Sequence, residues 1–143
     1  ELARALSAQN CDVWIVGGPS EVSLARVIRD RAPQARDLTG TDLRNAILAL
    51  GASDVAVSND SGLLHVAAAL GTPTIGIFGP TSPWHWAPLN PIAAAVEQTV
   101  EKLHCQPCHK PTCRLQHHRC MRNISAEDVL DITRRTLGTA RVA

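Results

Sequence analysis

The sequence predicts an α/β protein with a doubly wound parallel sheet. Three observations carry that expectation. The continuous apolar run at 13–16, with the short segments 54–58 and 74–78, reads as strands buried on both faces. Each run ends in turn residues: Gly17-Gly18-Pro19, Asn59-Asp60-Ser61-Gly62 and Gly79-Pro80. The segments between them carry apolar residues at helical spacing, and strands alternating with helices imply crossover units.

Each element has its own signal. Residues 1–8 read as the tail of a helix already under way, and Glu1 is no initiator, so the chain is expected to be part of a longer protein. In 20–31, Val22, Leu24, Ala25, Val27 and Ile28 form an apolar face, with Arg26, Arg29 and Arg31 outside and Pro33 as the stop. Asp37-Leu38 reads as a very short strand. Asp42 then caps a helix with Leu43, Ala46, Ile47 and Leu50 on one face and Gly51 past its end. The next helix, 63–70, is closed by Gly71. Residues 79–91, with four prolines and two tryptophans, read as a loop, and 92–96 as a last strand despite its alanines. Residues 103–122 show little periodicity. Ser125, with Asp128 three residues on, opens a final helix at about 125–137, where Val129, Leu130, Ile132, Thr133 and Leu137 support an apolar face.

Composition excludes several classes. The chain has 143 residues, 45% hydrophobic and 19% charged, with a net charge of +1. That length suits one packed domain. A near-zero charge argues against a dedicated nucleic-acid partner. The longest apolar stretch, 63–78, is interrupted by His65, Gly71, Thr72 and Pro73, and a membrane span needs about 20 apolar residues.

In an open parallel sheet, ligands bind beyond the carboxyl ends of the strands. Asn59-Asp60-Ser61-Gly62-Leu63-Leu64-His65 leaves a strand and opens a helix. A helix start offers unpaired N–H groups and the positive end of the dipole, which suit a phosphate. Gly62 lets an anion approach without a Cβ in the way, and Asp60 or Ser61 can cap the helix or bind a ligand hydroxyl. The same turn is also ordinary punctuation before a helix, and His65 alone reads equally as a hydrogen-bonded core histidine. Neither G-x-G-x-x-G nor a P-loop is present.

The run from Ser58 through Asn59-Asp60-Ser61-Gly62-Leu63-Leu64-His65 to Gly71-Thr72-Pro73, followed by Gly79-Pro80-Thr81-Ser82-Pro83, resembles the signature of the lipopolysaccharide heptosyltransferases, glycosyltransferase family 9. Val16-Gly17-Gly18-Pro19-Ser20-Glu21, the loop at 38–43 and the Cys-rich segment resemble further parts of it. The resemblance implies the Rossmann-like C-terminal half of a GT-B glycosyltransferase, with residues 1–143 as the nucleotide-sugar donor domain. The N-terminal acceptor domain, and with it the general base, is expected outside this chain, which leaves the catalytic residue unknown. Asp60, Ser61, Gly62 and Leu63 would lie against the donor's diphosphate and sugar, with His65 facing the same site. Glu21 would accept from the ribose hydroxyls, and Thr41 would lie along the base. The implied donor is ADP-L-glycero-D-manno-heptose and the implied acceptor the lipopolysaccharide inner core, in the cytoplasm or peripherally on the inner membrane. No cofactor is needed for the transfer. Alternatives are another nucleotide-sugar transferase or epimerase of this architecture, or a non-enzymatic metal-thiolate module.

Four of the five cysteines, Cys105, Cys108, Cys113 and Cys120, lie within sixteen residues. Two chelating pairs in one loop suit a structural zinc or iron, with His104, His109, His117 and His118 nearby in sequence. Two disulfides or packed free thiols are the alternatives. Lys102, Lys110, Arg114, Arg119 and Arg122 make the segment basic, as a solvated face or as a contact for anionic headgroups.

Overall fold

The computed structural model describes residues 1–91, 93–97 and 103–140. The chain divides into two compact units, Glu1–Ser53 and Asp54–Ala143. All strand pairing described in both is parallel, as the alternating pattern predicts.

The first unit runs α1 (Leu2–Ser7), β1 (Trp14–Ile15), a 3-10 turn (Pro19–Glu21) leading into α2 (Val22–Arg31), β2 (Arg36–Asp37) and α3 (Leu43–Gly51). Trp14 pairs with Arg36 and Ile15 with Asp37, so α2 is the crossover between neighbouring strands. Asp42 caps α3 as expected: its Oδ1 accepts from the Asn45 N–H at 2.8 Å. Gly51 is the last residue of α3 rather than the first beyond it. The apolar face expected on α2 is only partly buried. Ala25 is inside, while Leu24 and Val27 are 61% and 56% exposed. The buried apolar residues of this unit are Ala25, Ala32, Ala35 and Ala46. Backbones meeting over alanine leave the longer neighbours turned outward.

The second unit runs β3 (Ala56–Asn59), α4 (Gly62–Ala69), β4 (Thr74–Phe78), α5 (Pro83–Trp86), β5 (Ala94–Glu97), α6 (Arg119–Arg122) and α7 (Ala126–Ala140). Its strands lie in the order β3-β4-β5. Ala56 pairs with Thr74, and Ile75 with Ala94. Ile92, the expected start of the last strand, and Lys102 of the basic segment lie outside the described residues. The core holds Leu64 and Ala67 from α4, Ile75 and Phe78 from β4, and Val129 and Leu130 from α7. Gly76 makes room for it. A Cβ there would stand 2.7 Å from the Phe78 ring and 3.0 Å from Leu64 Cδ2, so the bare backbone lets both side chains lie over the strand.

The helix ends follow their signals. Gly71 takes the left-handed conformation (φ +80°) just past α4. The Thr72 N–H closes back on the Ala67 carbonyl at 3.1 Å. Ser125 and Asp128 form the expected reciprocal pair before α7: Ser125 Oγ donates to Asp128 Oδ2 at 2.7 Å and accepts from the Asp128 N–H at 3.0 Å. The proline-rich stretch is not wholly loop, because Pro83 supplies a preset first turn for α5.

Candidate functional site

The parallel register puts the carboxyl ends of β3 and β4 at one edge of the second unit's sheet. Two loops leave that edge, 60–61 into α4 and 79–82 into α5. The Asp60 N–H extends the ladder by donating to the Ile77 carbonyl at 3.2 Å, which fixes the first loop to its neighbour strand. Asp60 projects beside α4, where its Oδ1 lies 3.9 Å from His65 Nε2. The His65 side chain is 46% exposed, so the core-histidine reading does not hold.

Ser61 is the N-cap residue of α4 by position, in extended conformation, but its side chain makes no capping bond. Its hydroxyl pairs instead with Ser58 Oγ at 3.1 Å. The expectation that Asp60 or Ser61 caps α4 is therefore not met. The start of the helix lacks a side-chain lid, and a Cβ placed on Gly62 would find no atom within 4 Å. Donors, dipole and open space coincide at the first turn of α4, the physical requirement for anion binding. Leu63 is half-buried beside the fully buried Leu64.

The other expected site residues, Glu21 and Thr41, belong to the first unit, again beyond strand carboxyl ends. Glu21 is exposed, and its Oε2 accepts a short hydrogen bond from the Gly18 N–H, closing the turn after β1. A Cβ on Gly17 would stand 2.9 Å from that oxygen, which is why glycine sits there. The Gly40 N–H donates to the Gly17 carbonyl at 3.0 Å, tying the loops of Glu21 and Thr41 together. Thr41 Oγ1 donates to the Leu38 carbonyl at 2.9 Å. Glu21 thus has a local task besides any ligand contact, and a carboxylate has lone pairs for both.

Sequence reasoning overlooked Asp37. It ends β2, and its Oδ1 accepts from Thr39 Oγ1 at 2.6 Å and from the Thr39 N–H at 2.9 Å. An Asp-x-Thr at a strand end was the available signal. The Thr39 hydroxyl first, and its N–H second, hold the Asp37 carboxyl below the ordinary 3.8; burial opposes them, and Arg29 and Arg26 add to them. A lowered folded value means the contribution is complete above the ordinary value and lost as pH falls through the lowered one. Thr39→Val keeps the N–H and removes the hydroxyl. It should move the Asp37 titration midpoint upward, as read by NMR of the carboxyl carbon. An unmoved midpoint would assign the shift to the Thr39 N–H and the arginines rather than to the hydroxyl.

The cysteine segment packs on the same sheet edge as α4. The N–H groups of Cys108 and His109 both donate to the Pro80 carbonyl, at 3.0 and 2.9 Å. Gln106 Nε2 donates to the Gly79 carbonyl at 2.8 Å. All five cysteines are free thiols. Cys105 Sγ lies 3.7 Å from His117 Nε2, whose Nδ1 accepts from the Arg119 N–H at 3.0 Å. The His118 N–H aimed at Cys113 lowers that thiol from its ordinary 9.0, opposed by burial and helped by the N–H groups of Leu115, His117 and Gln116. Cys120 is pushed up, first by burial and then by the thiols of Cys108, Cys105 and Cys113. Among the described residues, no three His, Cys, Asp or Glu side chains are drawn together tightly enough to hold an ion as they stand.

A sheet of parallel strands with an open helix start at its carboxyl edge defines the Rossmann-like class of α/β folds, which bind ligands beyond the carboxyl ends of their strands, and comparison with known proteins gives the family. The family model for glycosyltransferase family 9 (heptosyltransferase) matches residues 1–119. The chain is 30% identical over 135 residues to lipooligosaccharide heptosyltransferase 2 of Campylobacter jejuni, covering 87% of this chain and 40% of that protein. The solved structure of Escherichia coli ADP-heptose LPS heptosyltransferase II superposes with a TM-score of 0.80 at 26% identity, over 98% of this chain and 40% of that one. A family 9 glycosyl transferase from Veillonella parvula shares the fold, with a TM-score of 0.81 at 19% identity over 96% of this chain and 40% of that one. The chain belongs to glycosyltransferase family 9, and it spans about 40% of the length of these relatives.

Proposed function

We propose that this chain is the donor-binding part of a heptosyltransferase that moves heptose from ADP-L-glycero-D-manno-heptose to the lipopolysaccharide inner core. The observation that carries the reading is the uncapped start of α4 with open space at Gly62. In the transfer, the bond from the anomeric carbon to the diphosphate oxygen breaks and a bond to the acceptor hydroxyl forms. Charge grows on the departing diphosphate. The first-turn N–H groups of Gly62 and Leu63 meet that charge already oriented, so the site reorganises little as the bond breaks. Asp60 and Ser61 take sugar hydroxyls, and His65, held toward Asp60, faces the same phosphates. Glu21 takes the ribose hydroxyls and Thr41 lies along the base. The acceptor and the general base belong to an N-terminal domain in the length that relatives have beyond this chain. Cytoplasmic work at the inner membrane surface fits the exposed Trp84 and Trp86 and the exposed Lys110, Arg114, Arg119 and Arg122. No helix among the described residues is long and apolar enough to cross a membrane.

The test is calorimetric titration with ADP. Gly62→Val places a branched side chain where no atom now lies within 4 Å. It should leave the thermal midpoint nearly unchanged and weaken ADP binding by about tenfold or more, the loss of roughly one charge-assisted hydrogen bond. Asp60→Ala should weaken ADP-heptose binding to a similar degree. Wild-type affinity in a folded Gly62→Val protein would remove the phosphate from this turn.

A further inference from the structure

We infer that Ser58 is a positioning residue for the diphosphate site: it holds the Ser61 hydroxyl off the start of α4 and so keeps the first-turn N–H groups free for the donor. The inference rests on the reading of this turn as the phosphate site.

Ser61 has everything a cap needs except the bond. It stands at the N-cap position with an extended backbone (φ −154°, ψ 166°), and serine is among the residues that cap best. A serine cap takes the N–H of the second or third helical residue, here Leu63 or Leu64. The Leu64 N–H already donates to the Ser61 carbonyl at 3.2 Å. The Leu63 N–H is thus the donor that a cap would take, and it is among the N–H groups that meet the diphosphate in the proposed transfer. Yet Ser61 makes no cap bond, and its Oγ lies 3.1 Å from Ser58 Oγ.

Proton count sets the direction of that bond. Ser58 Oγ donates to the Asn59 carbonyl at 2.9 Å, which uses the single hydrogen of its hydroxyl. Ser58 therefore accepts and Ser61 donates. The acceptor is fixed by the sheet. Ser58 lies in β3, paired in register with Gly76, and the ladder continues beyond it where the Asp60 N–H meets the Ile77 carbonyl. Ser61 follows in the turn between strand and helix. One side-chain rotation separates the observed state from a capped one.

The two states favour different ends. A capped helix is more stable, because an orphan donor is satisfied. It also presents a hydroxyl oxygen to Leu63 where a phosphate oxygen would sit, so an anion must first break the cap. Only the uncapped fraction of molecules then binds. Gly62 and Ser58 serve the same outcome. The first brings no side chain to the turn, and the second withholds the one that precedes it.

The experiment is a double-substitution cycle at positions 58 and 61 of the full-length protein, read by calorimetric titration with ADP and by amide hydrogen exchange. Ser58→Ala should weaken ADP binding about fivefold, the effect of a serine cap of ordinary strength. Its Leu63 amide should exchange several-fold more slowly, because a new cap protects it. Damage to the fold would speed that exchange, so its sign separates capping from misfolding. The effect should vanish when Ser61 is also alanine. The Ser58→Ala/Ser61→Ala protein should bind ADP within about twofold of Ser61→Ala alone. Ser58→Thr keeps a hydroxyl on the strand and should bind ADP as the wild type does. Weakened binding that persists undiminished in the double variant, or a Leu63 amide that Ser58→Ala leaves unchanged, would overturn the inference. Gly62→Val is titrated alongside. If it weakens ADP binding and Ser58→Ala does not, Ser58 loses its role while the phosphate stays at α4. If neither weakens ADP binding, the phosphate leaves the turn and the inference falls with it.

Discussion

The 143-residue chain, produced by itself, is expected to bind ADP and to transfer no measurable heptose. Holding two reactants in attacking geometry accounts for roughly 7–11 kcal/mol of a barrier, and a general base contributes typically 10²–10⁴-fold. Three of the carboxylates beyond strand carboxyl ends already have local contacts. Glu21 closes the Gly18 turn, Asp37 holds Thr39, and Asp60 faces His65. Each of the three thus has a local contact that competes with a role as base. The measurement is an assay with ADP-heptose and truncated lipopolysaccharide, using the chain alone and then with the separately produced remainder of the protein. Transfer by the chain alone at a rate near that of the whole protein would mean that the base lies within this chain.

The second large effect is on stability. Phe78 closes β4 with no exposed surface, and its ring and Leu64 share the space above Gly76. Phe78→Ala should cost about 3–5 kcal/mol by lost burial and the cavity left behind. A domain of this kind has only about 5–15 kcal/mol to lose. Because Leu64 is two residues into α4, the same change should loosen the helix start and weaken ADP binding. Gly76→Val attacks the contact from the other side, and overpacking there should cost about 1–3 kcal/mol. Urea denaturation of both variants checks the order. A Phe78→Ala protein within about 1 kcal/mol of wild type would show that the ring is not the keystone of this packing.

What the sequence disclosed was mostly local. The strand at Thr74–Phe78 is apolar from Ile75 to Phe78 and bounded by Pro73 and Gly79, so its limits could be read directly. Asp42, Gly71 and the Ser125–Asp128 pair are short-range hydrogen-bonding or φ signals, and each acts where its residue type implies. The failures are non-local or competitive. Ser61 had a second hydroxyl, Ser58, to pair with, so the cap did not form. The apolar positions of α2 fitted a buried face, but burial depends on what packs against the helix, and only Ala25 is covered fully. The α4 turn is legible from Asn59 to Gly62 as a strand-to-helix turn, while its reading as a phosphate site comes from the family resemblance. Asp37 escaped because its strand is two residues long and its role depends on a threonine beyond the strand.

The contact between Gly79 and Met121 has an evolutionary consequence. A methyl group on residue 79 would arrive 2.2 Å from the Met121 sulfur and 2.7 Å from its Cγ. The two positions are far apart along the chain, yet a side chain at 79 bears on where the one at 121 can lie. A lineage that first shortens residue 121 opens the way to alanine at 79. One that acquires the alanine first must evict the methionine from its place over the loop. Because Met121 is long, flexible and 37% exposed, that eviction is a swing of its thioether toward solvent, and the two positions are coupled through the placement of one side chain rather than through the backbone.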